Sequence, residues 1–398
     1  MRKSLRMHRG PSGLARLAAL AGTAGLVAAA GANVATAAAA NATAAGAAAA
    51  SAAAARPAAT TAVPWNSVTT GWTLALYTKG AIGSAATTLY LVSPSGRTYA
   101  VHQWPHGTSW SLVAMSPTGT EALFADSNPM TGKTRADLLN LKTGAVSGFG
   151  LPSLSLVIGY GPAGDSVLVG TRSAIYRYSR AGVRLASVTH AAAGNGIDYS
   201  VVPQAIVRPG TRDIVLGDKD GLLLVTPSGA LVRYLAVPGT NGTCTPARFK
   251  NHRVILAYCT PRQASSGPRV FAVPVTGQRP TAVTRVRDFT SADYGDTDAW
   301  VLSGKTFVQA ETGCGPEFLG LQHKNGSVTP VSMPGKASGS VVDASTGFQL
   351  MITRASCEGF NILMRFNPLT HASKMIFNGT TGGGAYDVVA DNQNGTQP

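Results

Sequence analysis

The sequence predicts an all-β chain, a seven-bladed β-propeller of four-stranded antiparallel blades, and three observations carry that prediction. The first is a unit at 212–237, RDIVLGDKDGLLLVTPSGALVRYLAV. Its apolar runs 214–216 and 222–225, and the alternating Leu231, Arg233 and Leu235, are parted by Gly-Asp-Lys-Asp-Gly and by Pro227-Ser228-Gly229. Short apolar runs bounded by Gly, Pro and Asp read as strands, because those residues supply the positive or fixed φ that a reversal needs. The second observation is recurrence: the turn glycines Gly96, Gly144, Gly182, Gly229, Gly277 and Gly326 follow one another at spacings of 48, 38, 47, 48 and 49. The third is length. Residues 64–398 make 335 positions, about seven periods of the size that holds four short strands in a propeller blade. Sheets this small do not bury their own faces, so each must stack on its neighbours.

The elements follow in chain order. Residues 2–16 are basic, 17–30 are apolar and free of charge, and Ala35-Thr36-Ala37 fits the small-x-small rule, so 1–37 is expected to be a signal peptide. Its apolar core of about 14 residues is short for a bilayer span, which points to removal and no stable membrane anchor. Residues 38–63 are almost all Ala, Thr, Gly and Ser and read as a low-complexity linker, with no apolar face to dock. Their composition resembles that of chains from high-GC actinobacteria. The propeller domain is expected over 64–398.

Within it, each glycine turn joins the last two strands of a blade, and an apolar run precedes each hairpin: 122–124, 166–169, 254–258, 306–310 and 348–352. The seventh copy, ILMRFNPLTHASKMIF, has Thr370 and His371 where the glycine stands elsewhere, and a different turn is expected there. The first copy, TLALYTKGAIGSAATTLYLVSPSGRTYAV, holds only three strands, whereas AYDVV at 385–389 stands alone. Seating that C-terminal run as the missing innermost strand of the N-terminal blade closes the ring and removes two edges.

Met115-Ser116-Pro117-Thr118-Gly119, followed by ALF and then DLLNLKTG, resembles the repeat of TolB-like and WD40-like propellers, with partial copies in GPAG at 161–164 and RPGT at 208–211. Thr118 stands where that repeat carries Asp. The resemblance implies a propeller.

Four cysteines in an exported chain imply two disulfides. Cys244 and Cys259 flank the turn 250–253 symmetrically, and Cys314 and Cys357 each follow the second strand of successive blades. The expected pairs are therefore Cys244 with Cys259 and Cys314 with Cys357. No Cys-x-x-Cys spacing exists and no histidine lies within four residues of a cysteine, so no metal centre is expected.

The sequence contains no Gly-x-Ser-x-Gly elbow, His-Glu-x-x-His pair or phosphate loop. His102 and His106, with Trp104 and Trp110, lie on the connection from the first blade to the second. They read either as a rim pocket or as ordinary loop residues. Asp288, Asp293, Asp296 and Asp298 form an acidic cluster whose spacing is not that of an EF-hand, so calcium, a solvated turn and ion pairing to nearby arginines all stay open.

Charge is the more informative signal. The net charge is +15, of which five charges lie in 1–37, leaving +10 for the remainder. From Arg233 to Arg287 there are nine basic residues and no acid. Arg248, Lys250, Arg253, Arg262, Arg269, Arg285 and Arg287 are the candidate polyanion-binding set, with a solvated basic surface as the plain alternative. Export and the lack of interleaved aromatics argue against nucleic acid.

The expected function is a secreted, non-enzymatic, monomeric binding module for a protein, a glycan or an anionic envelope polymer, extracellular or wall-associated and without a cofactor. The alternative is an extracytoplasmic hydrolase or lyase with its site at the channel mouth.

Overall fold

A computed structural model describes residues 62–80, 85–105, 110–128, 132–153, 155–171, 174–189, 205–261, 267–285, 295–310, 318–333, 339–346, 349–354, 362–378 and 384–390. The segment expected to be a signal peptide, most of the expected linker, and Cys314, Cys357, His106, Asp288, Asp293, Arg262 and Arg287 lie outside them. The described residues belong to one compact unit. They form antiparallel strands with two short 3-10 turns and no α-helix.

The strands are numbered in chain order. Sheet 1 pairs β28 (Gly384–Ala390), β1 (Thr73–Thr78), β2 (Thr87–Val92) and β3 (Thr98–Trp104), in that order. Sheet 2 holds β4 (Trp110–Met115), β5 (Glu121–Asn128), β6 (Lys133–Asn140) and β7 (Val146–Leu151). Sheet 3 holds β8 (Leu156–Tyr160), β9 (Ser166–Gly170), β10 (Ala174–Ser179) and β11 (Arg184–Thr189). Next come β12 (Ala205–Val207), β13 (Ile214–Lys219), β14 (Gly221–Val225) and β15 (Leu231–Ala236) in sheet 4. Sheet 5 has β16 (Thr240–Asn251), β17 (Val254–Pro261), β18 (Arg269–Pro274) and β19 (Thr281–Ala282). Sheet 6 runs β20 (Asp296–Leu302), β21 (Lys305–Ala310), β22 (Phe318–Gln322), β23 (Val328–Pro330). Sheet 7 runs β24 (Gly339–Thr346), β25 (Gln349–Arg354), β26 (Ile362–Phe366), β27 (Ser373–Phe377).

The expectation of wholly separate sheets is corrected at one point. β13 pairs β12 through Ile214 to Leu216, then pairs β16 at Asp218↔Cys244 and Lys219↔Thr243, which merges sheets 4 and 5. The 12-residue β16 reaches the end of β13, beyond the three positions that pair with β12.

Successive sheets are held by apolar clusters between them, and the alternation of side chains along a strand sends neighbours to opposite sides. In β14, Leu222 and Leu224 join a cluster with Phe249 and Ile255 of sheet 5, whereas Leu223 and Val225 join Leu168 and Ile175 of sheet 3. In β1, Leu74 and Leu76 face Leu112 and Phe124 of sheet 2, and Ala75 packs with Leu363 of sheet 7 and Ala385 of β28. Both faces are thus buried. This is why the central strands read as unbroken apolar runs and not as alternating ones.

The turn glycines owe their spacing to the same stacking. Each turn lies beside the outermost strand region of the preceding sheet: Gly144 by His102 of β3, Gly182 by Phe149 of β7, Gly229 by Ser187 of β11 and Gly96 by Ile376 of β27. At Gly229, φ is +90° and a Cβ would come within 2.7 Å of the Ser187 carbonyl oxygen. Conformation and space both demand glycine there.

The seventh turn differs, as expected, from those at Gly96, Gly182, Gly229, Gly277 and Gly326, whose N–H groups donate three residues back, and it shares its form with the turn at Gly144. The N–H of His371 donates to the Asn367 carbonyl and that of Asn367 to the Ala372 carbonyl, as Gly144, Asn140 and Ala145 do in sheet 2. Both turns are capped by the asparagine Oδ1, and His371 adopts the left-handed region at φ +59°. Its Nδ1 lies 3.1 Å from the Ser332 carbonyl oxygen, a contact glycine lacks.

Candidate anion-binding groove between sheets 5 and 6

A groove of about 780 Å³ lies between the outer part of sheet 5 and sheet 6. Sheet 5 contributes Arg269, at the start of β18, and Arg285, just past β19. Sheet 6 contributes Lys305, at the β20–β21 turn, and His323 with Lys324, at the β22–β23 turn. Among the described residues, no carboxylate lines the groove. The Arg269 guanidinium lies 4.7 Å from the centre of the Phe271 ring, a cation–π contact that holds its plane. The Arg285 side chain lies along Gly326, where a Cβ would meet its Cδ at 2.7 Å. Gln322 fastens the two walls: its Oε1 accepts the Arg285 backbone N–H at 3.0 Å and its amide donates to the Val283 carbonyl. The apolar part of the lining is Ala282, Val283 and Leu321.

The structure therefore brings together Arg269 and Arg285 of the predicted basic set and adds Lys305, His323 and Lys324. These three lie in a different period of the repeat from Arg233–Arg287. The signal that marks them is positional, since both lysines sit on hairpin turns of the period that follows.

Arg248 of the predicted basic set lies outside the groove lining and is engaged internally. Its Nε donates to Asp298 at 2.9 Å, it bonds the Ala299 carbonyl and its guanidinium lies over Trp300. Burial pushes the Asp298 carboxyl up while the Arg248 guanidinium opposes that rise. Lys250 and Arg253 are exposed near the β16–β17 turn, away from the groove lining; Arg253 Nε lies 3.0 Å from His252 Nε2.

Bracing of this kind recurs around the sheets. Arg177 donates to the Pro227 carbonyl at 2.7 Å, Arg233 donates to the Thr276 carbonyl and Lys374 donates to the Ser95 carbonyl at 3.2 Å. Between sheets 2 and 3, Glu121 accepts from both Tyr160 and Arg180. Part of the basic excess thus ties sheet 3 to the turn of sheet 4, sheet 4 to that of sheet 5 and sheet 7 to that of sheet 1.

Cys244 and Cys259 are directly opposed in the β16–β17 ladder and are disulfide-bonded, with Cα atoms 4.1 Å apart. Asp298 partners Arg248, not the nearer Arg285, and Asp296 is buried at the start of β20. His102 is buried 4.4 Å from the Trp104 ring centre, with Trp110 and Phe124 completing the aromatic contacts. Its Nε2 has no hydrogen-bond partner among the described residues, and burial pushes its pKa down. These rings pack the core between sheets 1 and 2. On the first strands of sheets 2, 3 and 4, the exposed or half-exposed positions are Trp110, Ser111 and Val113 of β4, Leu156 and Ile158 of β8 and Ala205 and Ile206 of β12. The ionisable ones on β16 and β20 are the Arg248–Asp298 pair and Lys250.

No protein-family profile and no curated protein match the sequence. The fold is similar to that of a prolyl endopeptidase structure, at a TM-score of 0.52 and 12% identity over 81% of this chain. The chain spans about half, 49%, of that protein's length. It is also similar to the β-propeller domain of the Trilobed protease from Pyrococcus furiosus (TM-score 0.48, 11% identity, 78% of this chain and 95% of that one). TolB from Acinetobacter baumannii matches at TM-score 0.41, 10% identity, and 80% and 82% coverage. At such identities the likeness concerns the fold alone.

Proposed function

We propose that residues 38–398 are an exported, monomeric, seven-bladed propeller closed by its C-terminal strand, which binds an anionic envelope polymer without chemically altering it. Support for closure comes from the pairing of β28 with β1 and from the cluster that joins Leu363 of sheet 7 to Ala75 and Val92 of sheet 1. Export through the general secretory route rests on the basic, apolar and small-x-small segments of 1–37.

The observation that carries the binding role is the groove itself, where four permanent cations gather and no acid is among the described residues of the walls. Like charges gathered in one cleft repel one another, and a bound polyanion relieves that cost while releasing its counterions. A solvated basic surface does not require such convergence. Binding is favoured over chemistry in a central channel because, among the described side chains of the innermost strands, Arg248 and Asp298 neutralise each other.

The test is retention of the processed protein on cell-envelope fractions at low and at high salt, beside the Lys305→Gln/Lys324→Gln variant. Retention lost at high salt and weakened in the variant is the expected result. Retention indifferent to salt would remove the polyanion reading.

A further inference from the structure

We infer that the groove takes a chain of phosphodiester units joined by short aliphatic or polyol segments. The inference rests on the reading of this groove as a polyanion site. Its cations enter from two sides, Arg269 and Arg285 from sheet 5 and Lys305 and Lys324 from sheet 6. A phosphodiester matches that arrangement, because its two non-bridging oxygens diverge from a tetrahedral phosphorus and each can face one wall. The two oxygens of a carboxylate share one plane and one edge, so a guanidinium fork takes the facing lone pair of each and leaves the opposite wall only the outer, in-plane lone pairs.

The arginines are held before any ligand arrives, Arg269 by the Phe271 ring and Arg285 along Gly326. Less freedom is then lost on binding. The lysines, exposed on turns, act as adaptable point charges along the chain. Between these charges, Ala282, Val283 and Leu321 give an apolar lining that suits carbon linkers and not a run of contiguous charges. The volume of about 780 Å³ is that of a site for several linked groups, not for one small anion.

The experiment is calorimetric titration of the processed chain, at one ionic strength, with an oligo(glycerol phosphate) and with an oligogalacturonate of equal charge number. Phosphatidylglycerol vesicles form a third arm. The phosphodiester oligomer is expected to bind about tenfold more tightly than the carboxylate one. Arg285→Lys, which keeps the charge and removes the fork, is expected to abolish most of that preference with the circular dichroism spectrum unchanged. Equal affinity for the two oligomers overturns the phosphodiester inference and leaves the polyanion reading standing. Tighter binding to vesicles than to the soluble oligomer assigns the site to a lipid headgroup and overturns the polymer. Binding to none of the three ends both readings.

Discussion

Deleting β28 is the most direct challenge to the proposed ring, and the size of its effect follows from what that strand covers. A chain ending at Gly383 loses the ladder in which Thr73 to Thr78 of β1 face Gly384 to Ala390. It also loses Ala385, wholly buried, together with Val388 and Val389, which pack respectively against the clusters on the sheet 7 and sheet 2 sides. Removing these side chains and baring Leu74 and Leu76 costs roughly 3 to 5 kcal/mol at about 25 cal/mol per Å². Each ladder hydrogen bond adds about 1 kcal/mol. The sum rivals the total stability of about 5 to 15 kcal/mol expected for a domain. The truncated chain should therefore lose its cooperative transition altogether. Urea unfolding followed by tryptophan fluorescence and far-ultraviolet circular dichroism measures this. A truncated protein that unfolds at the midpoint of the full chain, with the same slope, would refute the closure argument.

Replacing Cys244 and Cys259 together by alanine should lower stability by about 3 kcal/mol, the chain-entropy value for a loop of about 15 residues, read as a shift in urea midpoint. Asp218 is buried with Oδ1 unpaired, and burial raises its carboxyl pKa to about 6. The folded state thus binds this proton more tightly than the unfolded state, so the stability it contributes is full below about pH 4 and is lost as pH rises to about 6. Asp218→Asn should consequently stabilise the protein at pH 7, by up to about 3 kcal/mol, and flatten the stability profile between those pH values. An unchanged profile would show that Asp218 is solvated. Gly229→Ala should cost at least about 2 kcal/mol, from the left-handed backbone and from the clash with the Ser187 carbonyl. Gly210→Ala, with nothing near its Cβ, should cost only the backbone part; equal losses for the two would remove the packing account.

Strand positions and turns were legible because they are local properties. The runs at 214–216 and 222–225 became β13 and β14, and the period of the turn glycines reports how each turn meets the sheet before it. The opposition of Cys244 and Cys259 was legible for the same reason, since 15 residues folded about one turn put them face to face. Polar side chains were less readable. Arg248 and Asp298 are separated by 50 positions and Arg285 and Gln322 by 37, so their meeting depends on how one sheet stacks on the next. The acid-free stretch 233–287 therefore overstated a single patch.

From the linear chain alone came the repeat, the strands within it and the need for each sheet to lean on its neighbours, because apolar runs and residues that tolerate positive φ act over a few positions. The folded arrangement alone decided which cations brace and which share a groove, and that the end of β13 pairs with β16. Such outcomes rest on distances between groups a whole repeat apart, which no local pattern encodes.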